Sequence, residues 1–223
     1  MGKKVNPIIL RISNIKNSAI TWNSRWIVRG GANFAKYLQE DERIRRLVKA
    51  NVGDVGLDKI SIERSGKNVV EVIIKVAKPG VIIGRGGEKS DKLKKQLIKV
   101  IDREHKLKLT IKEIPKPNLC SEVLAQEARR LIEKRMPFRK VMKNIVALAK
   151  KDGADGVKIT VAGRLNGAEI ARDEKASTGQ MPLQNLRANI DYARLAAHTK
   201  WGAIGIKVWV YKGQVFDKDE TAV

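Results

Sequence analysis

The tripeptide Pro115-Lys116-Pro117 divides the chain more sharply than any other feature. Two prolines one residue apart fix φ at both positions, remove two backbone donors and push the residue before each out of the helical region. Neither a helix nor a central strand runs through such a segment. The hydrophobic periods on its two sides also come in different orders. Before the break they read helix, strand, strand, glycine-rich loop, helix, strand; after it, two helices and then about four strands. In a chain of 223 residues each side is long enough to bury a core of its own. The expected class is therefore α+β with two domains.

On the N-terminal side, Asn33 is placed to cap a helix reaching about Ala50, with Phe34, Leu38, Ile44, Leu47 and Val48 on its apolar side. Residues 59–64 and 69–76 alternate as strands, through Ile60/Ile62 and Val70/Val72/Ile74, around the short loop Ser65-Gly66-Lys67-Asn68. Pro79-Gly80 ends the second strand, and a helix after the glycine cluster runs to about Glu104 with Leu93, Leu97, Val100 and Ile101 on one face. Lys106 to Ile114 reads as a third strand. Beyond the break, Asn118 is expected to cap a helix with Leu124, Ala128, Leu131 and Ile132 on one face. Pro137 opens another that buries Phe138, Val141, Met142, Ile145 and Ala149. Period-two stretches follow at Val157/Ile159/Val161, near Ile170, at Leu186/Ala188/Ile190/Tyr192 and at Ile204/Ile206/Val208/Val210. The expected boundaries are a basic arm over 1–30, a first domain over 31–114, the linker 115–117, a second domain over 118–213 and a frayed tail over 214–223.

Charge narrows the function. Lys and Arg number 46 against 24 Asp and Glu, a formal net charge of +22. That excess opposes compaction by self-repulsion and calls for a polyanionic partner. At 43% hydrophobic residues the chain is too apolar for a disordered basic tail. One cysteine, Cys120, and two histidines, His105 and His198, leave no disulfide framework and no metal cluster to expect. No apolar run approaches the ~20 residues that span a bilayer, and the start Met1-Gly2-Lys3-Lys4-Val5-Asn6-Pro7 has no apolar stretch of a secretory leader. The cations are spread along the chain rather than gathered on one amphipathic helix, which favours nucleic acid over a membrane surface. With no paired acids or nucleophile constellation, the expectation is a cytoplasmic, non-enzymatic binder with no cofactor, metal or small-molecule substrate.

Three segments concentrate that reading. The first is Val81-Ile82-Ile83-Gly84-Arg85-Gly86-Gly87-Glu88, a Gly-x-x-Gly turn between a strand and a helix, inside a stretch (78–112) of 11 basic and 4 acidic residues. Glycines let backbone N–H groups and a helix N-terminus approach a phosphodiester, and Arg85 adds a cation at the tip, with Lys89 just beyond. Glu88 stands where a Walker A loop needs lysine, and Lys89 breaks the dinucleotide pattern, so an NTPase is not expected. The second runs from Leu124 to Lys151, with nine basic residues against Glu127 and Glu133; Arg139, Lys143 and Lys150 fall opposite the Val141/Ile145 stripe. The third is Gly163 to Arg172, a turn bracketed by Arg164 and Arg172. Aromatics, at 4%, are too few for a broad stacking platform, though Trp22, Trp26, Trp201 and Trp209 could each stack on a base.

Ile82-Ile83-Gly84-Arg85-Gly86-Gly87, preceded by a helix and a hairpin and followed by a helix and one strand, resembles the loop of a type II KH domain with a mixed three-stranded sheet. The resemblance implies that Gly84, Arg85, Gly86, Gly87 and Lys89 grip a nucleic-acid backbone. Position 86 is glycine where many such loops carry a second cation. Together with the Met1–Pro7 start, the Gly163–Arg172 turn and Ile204-Gly205-Ile206-Lys207-Val208-Trp209, the whole chain to about residue 213 resembles the uS-three family of small-subunit ribosomal proteins. Asn6 replaces the histidine usual in the opening motif, and Asp173 to Met181 is more polar than the family's aromatic-bearing connection. The resemblance implies a C-terminal domain of two helices and a four-stranded sheet, and a place in the head of the cytoplasmic small subunit bound to 16S-type rRNA. It further implies that Lys134, Arg135, Arg139 and Lys140 line the channel by which mRNA enters and assist its unwinding. rRNA contacts are expected at Lys3, Lys4, Arg11, Arg25, Arg29, Lys143, Arg164, Arg172, Arg187 and Arg194, and protein neighbours in ribosomal proteins ten and fourteen. Some members of the family have been linked to cleavage of damaged DNA, for which these residues supply no catalytic constellation. The alternative is a KH-bearing regulatory factor that binds RNA outside ribosomes.

Overall fold

The computed structural model describes residues 5–11, 22–28, 31–53, 55–65, 69–101 and 106–215, apart from the side chains of residues 31–33. Lys3, Lys4, Arg29, His105 and the tail from residue 216 lie outside the described residues, as does most of the loop expected at residues 65–68. The chain forms two units, one of residues 22–115 and one that joins residues 1–21 to residues 116–223.

The first unit contains β1 (Ser24–Arg25), α2 (Gly31–Val52), β2 (Leu57–Ser65), β3 (Val69–Val76), α3 (Pro79–Ile83), α4 (Glu88–Ile98) and β4 (Lys106–Glu113); the short α1 (Pro7–Arg11) belongs to the other. Its sheet order is β1-β2-β3-β4, with β2 and β3 antiparallel and β3 and β4 parallel. The parallel pairing is possible because the α3–α4 segment supplies the crossover that a hairpin cannot. Val70, Val72, Ile74 and Val76 alternate into the core against Ile44 and Val48 of α2 and Leu93 and Leu97 of α4. Each such side chain removed from water stabilises the unit by about 1.5–3 kcal/mol. The expected three-stranded sheet gains a fourth strand, because Ser24 and Arg25 pair in parallel with Ile62 and Glu63.

That added strand is locked by a buried charge cluster. Arg64 reaches Glu40 at 2.9 Å and Asp41 at 2.7 Å, all three side chains at most 6% exposed. The other oxygen of Asp41 accepts from Ser24 Oγ and from Trp26 Nε1, each at 2.9 Å. Trp26 also packs against Phe34 and Tyr37. Phe34 and Leu38 are nevertheless more than half exposed, so the buried stripe of α2 begins further along, near Ile44. α4 stops at Ile98, short of the expected Glu104.

The second unit contains α1, α5 (Ser121–Glu133), α6 (Phe138–Lys151), β5 (Gly156–Gly163), β6 (Arg172–Gly179), β7 (Ala188–Thr199) and β8 (Gly202–Gln214). The four strands form an antiparallel sheet in the order β6-β5-β8-β7. α5 and α6 cover one face: Leu124, Ala128, Val141 and Ile145 meet Ile159, Val161, Ile206 and Val208. Asn118 does not cap α5; its side chain donates to Asp152 at 3.0 Å. The first N–H of α5, from Ser121, donates instead to the Asp191 carboxylate on β7 at 3.1 Å, an anion held at the positive end of the helix dipole. Ile170 is 83% exposed, and the strand expected there begins at Arg172. β6 is an edge strand composed of Arg, Asp, Glu, Lys, Ala, Ser, Thr and Gly, so its apolar period is faint.

Arg11 departs most from expectation. Expected among the rRNA contacts, it is 1% exposed and donates to the carbonyls of Pro7 at 2.9 Å, Leu183 at 2.8 Å and Asn185 at 3.0 Å. Loss of hydration lowers its pKa. With its donors spent on carbonyls, Arg11 pins α1 to the segment before β7 and leaves nothing to offer a phosphate.

Candidate nucleic-acid interface

α3 and α4 are joined by the glycine loop, closed by the Gly84 N–H donating to the Gly80 carbonyl at 3.0 Å and by Ser90 Oγ donating to the Gly87 carbonyl at 2.7 Å. Gly84 has φ 73° and ψ −178°, a conformation essentially reserved for glycine. A Cβ there would stand 2.9 Å from Lys89 Cγ, so the missing side chain lets the Lys89 stem cross the loop. Arg85, Gly86 and Lys89 are exposed, and Gly84 and Gly87 half-buried. Nothing stands within 4 Å of where a Gly86 Cβ would be. The loop therefore presents two cations and the N-terminal turn of an eleven-residue helix to solvent, a shape that receives a phosphodiester. Beside it, Asn51, Val52, Val81, Ile82 and Leu93 line a recess of about 300 Å³.

The second concentration lies on the α5–α6 turn. Within α5, Arg129 pairs with Glu133 and Arg130 with Glu127, so the cations upstream of the turn are balanced along the helix. Lys134, Arg135, Arg139, Lys140 and Lys143 are all exposed. Arg139 approaches Glu174 only at 4.0 Å, and Arg172 shares that carboxylate at the same distance.

The outer face of the β5–β8 sheet groups residues that the sequence does not show to be neighbours. Cross-strand register sets Lys175, Thr160, Lys207 and Arg194 in one row, and Ser177, Lys158, Trp209 and Tyr192 in the next. Trp209 and Tyr192 lie 5.2 Å apart, with the Lys158 ammonium 5.6 Å from the Trp209 ring. Burial raises the Tyr192 pKa and the Arg194 charge opposes that rise. The sequence marks Arg194 as a contact and Trp209 as a possible base stacker, but not the cross-strand pairing that groups them with Lys158, Lys175 and Lys207.

Arg164 is exposed and donates from Nε to the Ala168 carbonyl at 2.9 Å. Arg172 and Arg187 are exposed too, and Arg25 is half-exposed beside Glu63 at 3.4 Å. Among the described residues no group of three or more His, Cys, Asp or Glu could hold a metal ion, and no helix is long and apolar enough to cross a membrane.

Residues 43–119 match the KH domain family, and residues 128–210 match the family described as ribosomal protein S3, C-terminal domain. A small ribosomal subunit protein uS3 of Desulfatibacillum aliphaticivorans is 42% identical over 222 residues, covering 100% of this chain and 98% of the relative. The chain belongs to the uS3 family. The uS3 proteins of Leuconostoc citreum, at 40% identity with full coverage of both chains, and of Caldicellulosiruptor saccharolyticus, at 44% with 100% and 97% coverage, agree. uS3 is a structural, non-enzymatic family of the small subunit, and in this member the KH match spans the glycine loop while the C-terminal match spans the α5–α6 turn and most of the sheet.

Proposed function

We propose that this chain is a structural constituent of the small ribosomal subunit head, in the cytoplasm, that binds rRNA and lines the channel by which mRNA enters. Its mechanism is electrostatic: lysines and arginines displace counterions condensed on RNA, and glycines admit the backbone. The KH loop residues Gly84, Arg85, Gly86, Gly87 and Lys89 grip a backbone. Lys3, Lys4, Arg25, Arg29, Lys143, Arg164, Arg172, Arg187 and Arg194 serve rRNA; Arg11 is withdrawn from that set. Ribosomal proteins ten and fourteen are its proposed protein neighbours.

The message-handling role falls to Lys134, Arg135, Arg139 and Lys140. One observation carries it: these exposed cations cluster at a single helix–helix turn, just past the point where Glu133 and Glu127 are already paired with Arg129 and Arg130. A strand held there by its phosphates cannot re-pair behind the contact, which favours opening of a duplex ahead of it. Ribosomes carrying Lys134→Ala, Arg135→Ala and Arg139→Ala together are expected to slow more on messages with stable hairpins than on unstructured ones. Equal slowing on both would assign these residues to assembly. Sedimentation away from the small subunit after a moderate salt wash would favour a regulatory factor acting outside ribosomes.

A further inference from the structure

The α5–α6 turn, the turn after β5 and the tip of the β7–β8 hairpin converge on a recess of about 360 Å³. Both non-glycine residues with left-handed backbone among the described residues line it: Arg135 at φ 62° and Asn166 at φ 55°. Arg135 closes α5 with its N–H on the Ile132 carbonyl at 2.8 Å and the Met136 N–H on the Leu131 carbonyl at 3.1 Å, the Schellman pattern in which glycine is usual. An arginine held there at a conformational cost marks a position where a guanidinium is wanted.

The hairpin tip is equally unusual. Its two residues are Lys200 and Trp201, where tight hairpins favour Asn-Gly or Gly-rich pairs. Trp201 is 42% exposed and seats its ring on Gly167, where a Cβ would come within 3.0 Å of it. The Lys200 ammonium stands 4.8 Å from the ring centroid. Arg164 also lines the recess. The one carboxylate there, Glu133, accepts the His198 N–H at 3.2 Å and pairs with Arg129, so it does not cancel the cations.

A fixed aromatic ring among three cations matches the chemistry of a single nucleotide. We propose that this recess takes one unpaired nucleotide of an RNA strand, its base on Trp201 and its phosphate among Arg135, Arg164 and Lys200. Lys200 exchanges the ring for the phosphate when the base arrives. The inference rests on reading the chain as an RNA binder and adds the site of base capture.

The test uses the full chain with a fluorescent, unstructured twelve-nucleotide RNA and, separately, polyphosphate. Trp201→Ala is expected to weaken RNA binding about tenfold, the scale of one base–aromatic stack, and to leave polyphosphate binding unchanged. Trp201→Phe keeps a ring and is expected to bind within about twofold of the parent. Arg135→Gly relieves the left-handed strain while removing the cation, so it is expected to melt higher and bind RNA more weakly, a combination that unfolding cannot produce. Parental RNA affinity in Trp201→Ala, or an equal loss for polyphosphate, overturns the inference alone. A parent chain that binds no RNA overturns the underlying reading and the inference with it.

Discussion

Arg194 on β7 and Lys207 on β8 are direct cross-strand partners, both exposed. Like charges placed opposite one another in a sheet destabilise it by a few tenths of a kcal/mol up to about 1 kcal/mol, and in the free protein that repulsion persists. An RNA backbone laid across the face would relieve it. Lys207→Glu is therefore expected to raise the melting temperature of the isolated chain, by about 0.5 kcal/mol of stability, and to weaken RNA binding. A variant that melts higher and binds RNA as the parent does would free this face from the RNA surface.

The Arg64–Glu40–Asp41 cluster is a structural device. Replacing Arg64 by Leu leaves the buried Glu40 and Asp41 carboxylates without their cation, Asp41 keeping only its Ser24 and Trp26 donors, and is expected to cost about 3–5 kcal/mol. Urea denaturation of the full chain would read this as a lower midpoint for the unit built on β2 and β3. A loss below about 1 kcal/mol would show that the carboxylates find other donors.

Gly84 and Gly86 predict opposite behaviour two residues apart. Gly84→Ala meets Lys89 Cγ at 2.9 Å from a conformation only glycine adopts comfortably, and is expected to cost about 1–3 kcal/mol. Gly86→Asp points into open space, in a left-handed conformation aspartate tolerates. Combined with Arg85→Asp it is expected to weaken RNA binding while the circular dichroism spectrum stays that of the parent. Unchanged affinity in that double variant would take the loop off the interface.

Arg11→Met separates a buried cation from an interfacial one. The change takes the side-chain donor from the Leu183 carbonyl, and a buried carbonyl left unpaired costs about 1–3 kcal/mol, so stability is expected to fall. Because Arg11 offers no donor to solvent, the salt dependence of RNA binding at a temperature where the variant is folded is expected to match the parent. A shallower slope would return Arg11 to the interface.

Much of this architecture was legible in the sequence because strong periods announce it. Val70/Val72/Ile74 and Ile204/Ile206/Val208/Val210 alternate as buried strands do, and Val141, Met142, Ile145 and Ala149 fall on one helical face. What escaped was set by tertiary pairing. β1 is two residues long and exists because the Asp41 carboxylate gathers Ser24 and Trp26. β6 is an edge strand with almost no apolar alternation. Arg11 looks like any other arginine until the carbonyls of residues 183 and 185 surround it. The glycine loop could be found from spacing alone, since Gly84 is required by its backbone. The cationic row on the sheet and the recess around Trp201 depend on register and on hairpin tips meeting, which periodicity does not encode.

If these exposed cations exist to neutralise an RNA backbone, the affinity of the full chain for an unstructured RNA must fall steeply across a series of salt concentrations. Each phosphate contact contributes about −0.7 to the slope of log affinity against log salt. A loop gripping about four nucleotides already predicts a slope of about −3, and the α5–α6 turn and the sheet face make it steeper. A slope near zero would show that the cations do not neutralise RNA phosphates.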